Sequence, residues 1–237
     1  YNSKFKYACR HADKVVAISK QTKADLMEEF LISEDRISIV YQSCDEVYYS
    51  KRSASDKQKV KEKWNLPERY ILYVGALNEN KNVKIILEAM AIANKRIDLP
   101  LVIVGKGTAY KEIVQSAARS LGLVDRVIFA SDRANPSPLE LSSFYQMASV
   151  FVFPSFYEGF GIPILEARFS EIPVLASNSS CLDEAGGEHT LYFSPTNAEE
   201  LANQLEIALS SPETLTAAYP SDFKLKPLTQ QMIDLYT

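Results

Sequence analysis

The stretch SVFVFPSFYEGFGIPILEARF (149–169) holds a strand, a turn and the start of a helix in immediate succession. Residues 149–154 are almost wholly apolar rather than alternating, as expected of a parallel strand covered on both faces. A loop carrying Glu158-Gly159-Phe160-Gly161 follows, and a helix is predicted from near Ile162, with Pro163 in its first turn. Proline suits that place because its missing N–H would have no intrahelical partner anyway.

The same grammar runs outward in both directions. Strand-like runs occur at 14–19, 37–41, 70–75, 100–105, 126–130, 172–176 and 190–194. Amphipathic stretches lie between them at 21–31, 56–64, 82–96, 108–121, 138–148, 162–170 and 197–210. Within 83–92 the 3.6-residue period places Val83, Ile86, Leu87, Met90 and Ala91 on one face. Alternating strand and helix with right-handed crossovers predicts an α/β fold, a doubly wound Rossmann-like parallel sheet.

Residues 42–69 are polar and charged and separate a short opening pattern from the six strand-like runs of the remainder. The expected division is therefore residues 1–45 as the tail of a preceding α/β domain with its connection, 46–225 as a Rossmann-like domain, and 226–237 as a C-terminal helix. The chain opens on Tyr1 and starts inside a helix-like pattern, and is read as a piece of something longer.

Composition narrows the function. The chain of 237 residues is 46% hydrophobic and carries a formal charge of −4, which offers no basic field to hold nucleic acid. Cys9, Cys44 and Cys181 are scattered without a CxxC pair or neighbouring histidine spacing. That argues against disulfides and structural zinc and fits a reducing, cytoplasmic setting. No apolar run approaches membrane-spanning length. Lys4, Lys6, Arg10 and Lys14 leave a peripheral contact with anionic lipid open, beside the plainer reading of a solvated helix face.

In open α/β sheets ligands bind outside the carboxyl ends of the strands, so the loops after the strands carry the interest. The amides at the start of the 162–170 helix, beside two glycines, form an anion site suited to phosphate. Glu166 leans back toward that helix start and can accept two adjacent ribose hydroxyls. Glu158 lies in the crevice and can accept from sugar hydroxyls. The same residues also suit structural roles, a first-turn acid for the helix dipole and a tight Gly-Phe-Gly turn. In the loop GALNENKN (75–82), Gly75 ends a strand and Lys81 can set a compact charge beside a diphosphate. Gly105-Lys106-Gly107 lacks the third glycine of a dinucleotide fingerprint.

Five segments, VGALNENKN (74–82), LVIVGKG (101–107), LGLVDRVIFAS (121–131), FYQMASVFVFPSFYEGFGIPILEA (144–167) and PVLASNSSCLDEAGGEHTLYFSP (173–195), occur in one order. Together they resemble the C-terminal half of the GT-B-type retaining glycosyltransferases of group 1, or family 4. Residues 12–41 resemble the last strand–helix–strand of that family's N-terminal domain. The resemblance implies a donor-binding half that moves sugar from a nucleotide-diphosphate sugar to a glycan or lipid-linked acceptor, in cell-surface polysaccharide synthesis. It implies Glu166 on the donor ribose, Glu158 at the donor sugar, the amides of Gly159, Phe160 and Gly161 on the diphosphate pocket, and Lys81 neutralising the departing diphosphate. It further places Arg133 or its neighbours at the base and matches Glu184 to a family glutamate. Acceptor binding falls to the N-terminal domain, and no cofactor is implied beyond the donor.

The chain departs from the family where an arginine commonly follows the strand-ending glycine, since Ala76 stands there, and Asn80 stands where some relatives place one. Lys84 and Lys106 are the nearby candidates to assist Lys81. The absence of Asp-x-Asp anywhere in the chain is consistent with metal-free chemistry. A nucleotide-sugar epimerase or glycan phosphorylase of similar fold and a non-catalytic nucleotide-sugar-binding module are the alternatives, although no motif for a pyridoxal-phosphate lysine is present.

Overall fold

Each apolar run expected to be a strand forms one. The computed structural model describes residues 2–107, 109–132, 134–216 and 220–235. The strands are β1 (Val15–Ala17), β2 (Ile37–Ile39), β3 (Ile71–Val74), β4 (Leu101–Val104), β5 (Val127–Phe129), β6 (Val150–Phe153), β7 (Val174–Ser177) and β8 (Leu191–Phe193). The longer helices are α1 (Asn2–His11), α2 (Lys20–Phe30), α3 (Ala54–Trp64), α4 (Lys84–Ala93), α5 (Ala109–Ser120), α6 (Pro138–Met147), α7 (Ile162–Phe169), α9 (Ala198–Ser210) and α11 (Leu225–Asp234). Two short turns of helix, α8 (Leu182–Gly186) and α10 (Pro212–Leu215), complete the order.

Strands β3 to β8 form one parallel sheet in the order β5-β4-β3-β6-β7-β8. Their side chains alternate between two apolar layers, as the two-residue strand period requires. Leu72, Val102, Phe151 and Val174 face α3, α6 and α7, where Trp64, Phe144, Tyr145 and Leu165 are buried. Ile71, Ile103, Val152 and Leu175 face α4, α5 and α9, where Ile86, Met90, Val114 and Leu205 are buried. This is the expected doubly wound arrangement. Strands β1 and β2 pair separately, in parallel, around a small core of Cys9, Ala17, Leu26, Ile32 and Ile37.

The segment 42–69 is not the polar spacer its composition implies. Cys44, Tyr48, Val60, Trp64 and Leu66 are all buried in the layer beneath the sheet. Val60 and Trp64 lie four residues apart on one face of α3, so a narrow apolar stripe anchors an otherwise charged helix. Asn65 then ends α3 in the left-handed conformation.

At the carboxyl end of the sheet, the β3–α4 and β4–α5 loops press directly together. Gly75 donates its amide to Val104 at 2.9 Å, and Leu77 donates to the Lys106 carbonyl at 2.8 Å. A side chain on Gly105 would overlap the Gly75 carbonyl, and one on Gly107 would overlap that of Leu77. The GKG glycines are thus demanded by backbone contact. Gly105→Ala is expected to cost about 2–3 kcal/mol, the scale of overpacking, measured by urea denaturation; an unchanged midpoint would show that the two loops part freely.

Candidate functional site

The strand order reverses between β3 and β6, since the chain runs from β3 outward to β5 and returns to β6 on the other side of β3. The loops leaving β3 and β6 therefore face each other across the crevice where such sheets bind ligands. Lys81 and Glu158 come from these two loops, and the Lys81 ammonium is ion-paired with Glu158 Oε1. Both side chains are largely buried, and the ammonium lies 5.5 Å from the Phe153 ring centroid. A cation and a carboxylate drawn from separate loops are held at the switch point of the sheet.

Two asparagines, Asn80 and Asn82, hold these loops in place. Asn80 donates from its side chain to the Tyr157 carbonyl at 2.7 Å, and the Phe156 amide donates to the Asn80 carbonyl at 2.8 Å. Asn82 donates to the carbonyls of Pro154 and Pro195 at 3.2 and 2.8 Å. Asn82 also takes the left-handed conformation, which delays α4 to Lys84, two residues later than the periodicity predicts. The spacing NENKN (78–82) was the available signal, because asparagine both tolerates positive φ and bridges backbone groups.

Helix α7 starts as predicted, with Gly161 at φ 111° as its N-cap and Pro163 in its first turn. Glycine brings no capping side chain, Pro163 has no N–H, and the Ile164 amide donates to the Gly161 carbonyl at 2.9 Å. The Phe160 ring is buried, with its centroid 5.5 Å from Tyr41 and 5.7 Å from Phe223, so it anchors the loop while its backbone lines the turn. Gly159 runs against Ile18, whose Cδ1 lies 3.1 Å from where a Cβ would stand.

Glu166 is half-buried on α7, and its Oε2 accepts a 2.7 Å hydrogen bond from the Tyr145 hydroxyl. Burial pushes its carboxyl up to about 7, against the opposing effect of hydrogen bonds from Tyr145 and Tyr48. Glu184 lies apart from the Lys81–Glu158 pair in its bonding. Its Oε2 accepts from the Lys20 amide at 2.8 Å and its Oε1 from the Gln21 amide at 3.2 Å. Gly75 stands at the end of β3 against Gly105, and Arg133 lies outside the described residues. Of the candidate helpers of Lys81, Lys84 is engaged with Glu88 at 2.9 Å. Lys106 borders an open depression of about 570 Å³ with Leu77, Gly105, Gly107, Lys111, Ser131 and Asp132. A depression of about 610 Å³ beside Arg69, Asp98 and Glu206 lies at the opposite end of the strands, away from these loops.

The raised carboxyl of Glu166 has a fixed sign in stability. Between its ordinary value near 4.5 and about 7 the native state holds a proton that the unfolded chain has lost. Stability from this group is therefore present below pH 4.5 and lost as pH rises through 7, by up to about 3 kcal/mol. Glu166→Gln is expected to remove that dependence, gaining on the parent at pH 8 and not at pH 4.5 in urea titrations. An equal difference at both pH values would contradict the shift.

A family model described as "Glycosyl transferases group 1" matches residues 54–221. The O-antigen chain mannosyltransferase B of Escherichia coli is 28% identical over 238 residues, covering 95% of this chain and 60% of that protein. A glycosyltransferase from Rickettsia africae superposes with a TM-score of 0.86 at 22% identity, covering 100% of this chain and 66% of its own. Anabaena Alr3699/HepE, solved in complex with UDP and glucose, superposes with a TM-score of 0.83 at 20% identity, covering 97% of this chain and 64% of its own. These two structures speak to the fold. The chain spans 60% of the length of the curated relative it matches here. With the family match extending over most of its length, the chain belongs to the group 1 glycosyl transferases.

Proposed function

We propose that the chain is the donor-binding half of a metal-independent, retaining glycosyltransferase that takes a nucleotide-diphosphate sugar and serves a glycan or lipid-linked acceptor in surface polysaccharide synthesis. The observation that carries this reading is the Lys81–Glu158 pair, brought together from two loops at the reversal of the sheet. The O-antigen mannosyltransferase relative supports transfer into a surface polysaccharide, and the UDP and glucose bound by the Anabaena protein support a nucleotide sugar as donor.

The chemistry follows from charge. Breaking a sugar–phosphate bond leaves negative charge on the diphosphate, and only groups that bind that charge better in the transition state speed the step. Lys81 is the cation placed to take it, and the positive end of α7, whose cap residue Gly161 brings no side-chain acceptor, would add to it. Glu158 would turn to the donor sugar as the diphosphate displaces it from Lys81. Glu166 would accept the ribose hydroxyls, and the depression beside Lys106 and Asp132 would hold the nucleoside. Retention of configuration rests on the family resemblance. Among the described residues no helix is long and apolar enough to cross a membrane, and a lipid-linked acceptor would be met by another part of the protein.

Screening UDP-, GDP- and ADP-sugars by thermal denaturation is the direct test. Binding to the native state raises its melting temperature, by an amount equivalent to about 2.7 kcal/mol at a hundredfold excess over Kd. One nucleotide series is expected to stabilise the chain; no shift with any of the three at millimolar concentration would overturn the reading.

Two substitutions then separate the paired groups. Lys81→Ala is expected to weaken nucleoside diphosphate binding by about 1.5–3 kcal/mol, the scale of charge-assisted hydrogen bonds. Glu158→Gln removes the carboxylate that competes for Lys81, so nucleoside diphosphate should bind several-fold more tightly while the gain from the attached sugar is lost. Calorimetry showing weaker diphosphate binding in Glu158→Gln would refute that competition.

A further inference from the structure

Glu184 is spent on a helix start that belongs to the opening β1–α2–β2 unit. The first amides of α2 have no intrahelical acceptors. Ser19 accepts from Thr22 N at 2.9 Å. The Lys20 and Gln21 amides instead donate to Glu184, which arrives from more than 160 residues along the chain. A carboxylate at that end also complements the positive end of the helix dipole.

The loop after β6 meets the same helix. The Tyr157 hydroxyl donates to Asp25 Oδ2 at 2.5 Å, and Asp25 also accepts from Gln21 Nε2 at 2.8 Å, one turn earlier on α2. The strand-end residue Ile18 lies against Gly159. Just ahead of α8, Ser180 Oγ and Cys181 Sγ both donate to the Glu158 carbonyl, at 2.8 and 3.2 Å. Glu184 follows three residues after Cys181, so the segment that fixes the Glu158 backbone is itself tied to α2. Two routes, through Glu184 and through Tyr157, run from one helix to the loop that carries Glu158.

We propose that Glu184 and Tyr157 are positioning residues, which use α2 of the opening unit as a fixed support to aim Glu158 at the donor sugar. The role deepens the nucleotide-sugar reading and rests on it. It assigns Glu184 an action through the loop rather than direct contact with donor. It also makes the opening unit part of the donor site's scaffold, although no residue of that unit need touch the donor.

The test compares two affinities on the same chain, for the nucleotide sugar that stabilises it and for the matching nucleoside diphosphate, by calorimetry. In Glu184→Ala and in Tyr157→Phe the advantage of the sugar-bearing ligand is expected to shrink at least fivefold. Affinity for the bare diphosphate should stay within twofold. Glu184→Ala/Tyr157→Phe should lose little more than either single change, because both act through one loop. A support that serves stability alone would lower the melting temperature yet leave the ratio of the two affinities at its parent value, and that result would overturn the proposal. Tyr157→Phe removes a single hydroxyl from an exposed side chain, so it keeps the test open should Glu184→Ala fold poorly. A parent chain that binds no nucleotide sugar would remove the donor reading and this role with it, whereas binding with an unchanged ratio in both variants would sink this role alone.

Discussion

A parallel sheet built outward in two directions from adjacent strands must leave two loops facing each other at its carboxyl edge, and here those strands are β3 and β6. Everything at the site inherits this constraint. Lys81 and Glu158 meet because their loops leave neighbouring strands. Asn80 and Asn82 then close the approach with side-chain hydrogen bonds to loop carbonyls. The pairing of this cation with this carboxylate also leaves neither charge exposed and unpartnered in a poorly solvated crevice.

Much of this was legible in the sequence, for identifiable reasons. Runs such as YILYV (70–74) and SVFVF (149–153) are apolar on both faces, as a parallel strand covered on both sides requires. The α7 start was marked by Gly161 and Pro163, two residues with narrow backbone meaning. By contrast, residues 42–69 misled because average polarity masked a few scattered buried residues, Cys44, Tyr48 and Leu66 beside the Val60–Trp64 stripe of α3, that carry the packing. The delay of α4 to Lys84 was invisible to periodicity, since it depends on tertiary hydrogen bonds from Asn82 to Pro154 and Pro195.

Glu184 shows the limit most clearly. Motif order places it among ligand-facing loops, yet its partners are the Lys20 and Gln21 amides, far away in sequence. No local pattern encodes a carboxylate that caps a helix in another part of the chain. The Phe160 ring is similar, for its stacking on Tyr41 and Phe223 joins three distant segments under the loop whose backbone the motif emphasises.

The tyrosine-lined seat of Glu166 has a thermodynamic consequence of its own. Packing favours the neutral acid, whereas any ligand donating hydroxyl hydrogens to this group selects the anion. Occupancy near neutrality would then expel a hydrogen ion to the medium, and the heat of association would track the ionisation enthalpy of the buffer. The fold and a ligand seated there would thus draw on opposite charge states of one side chain.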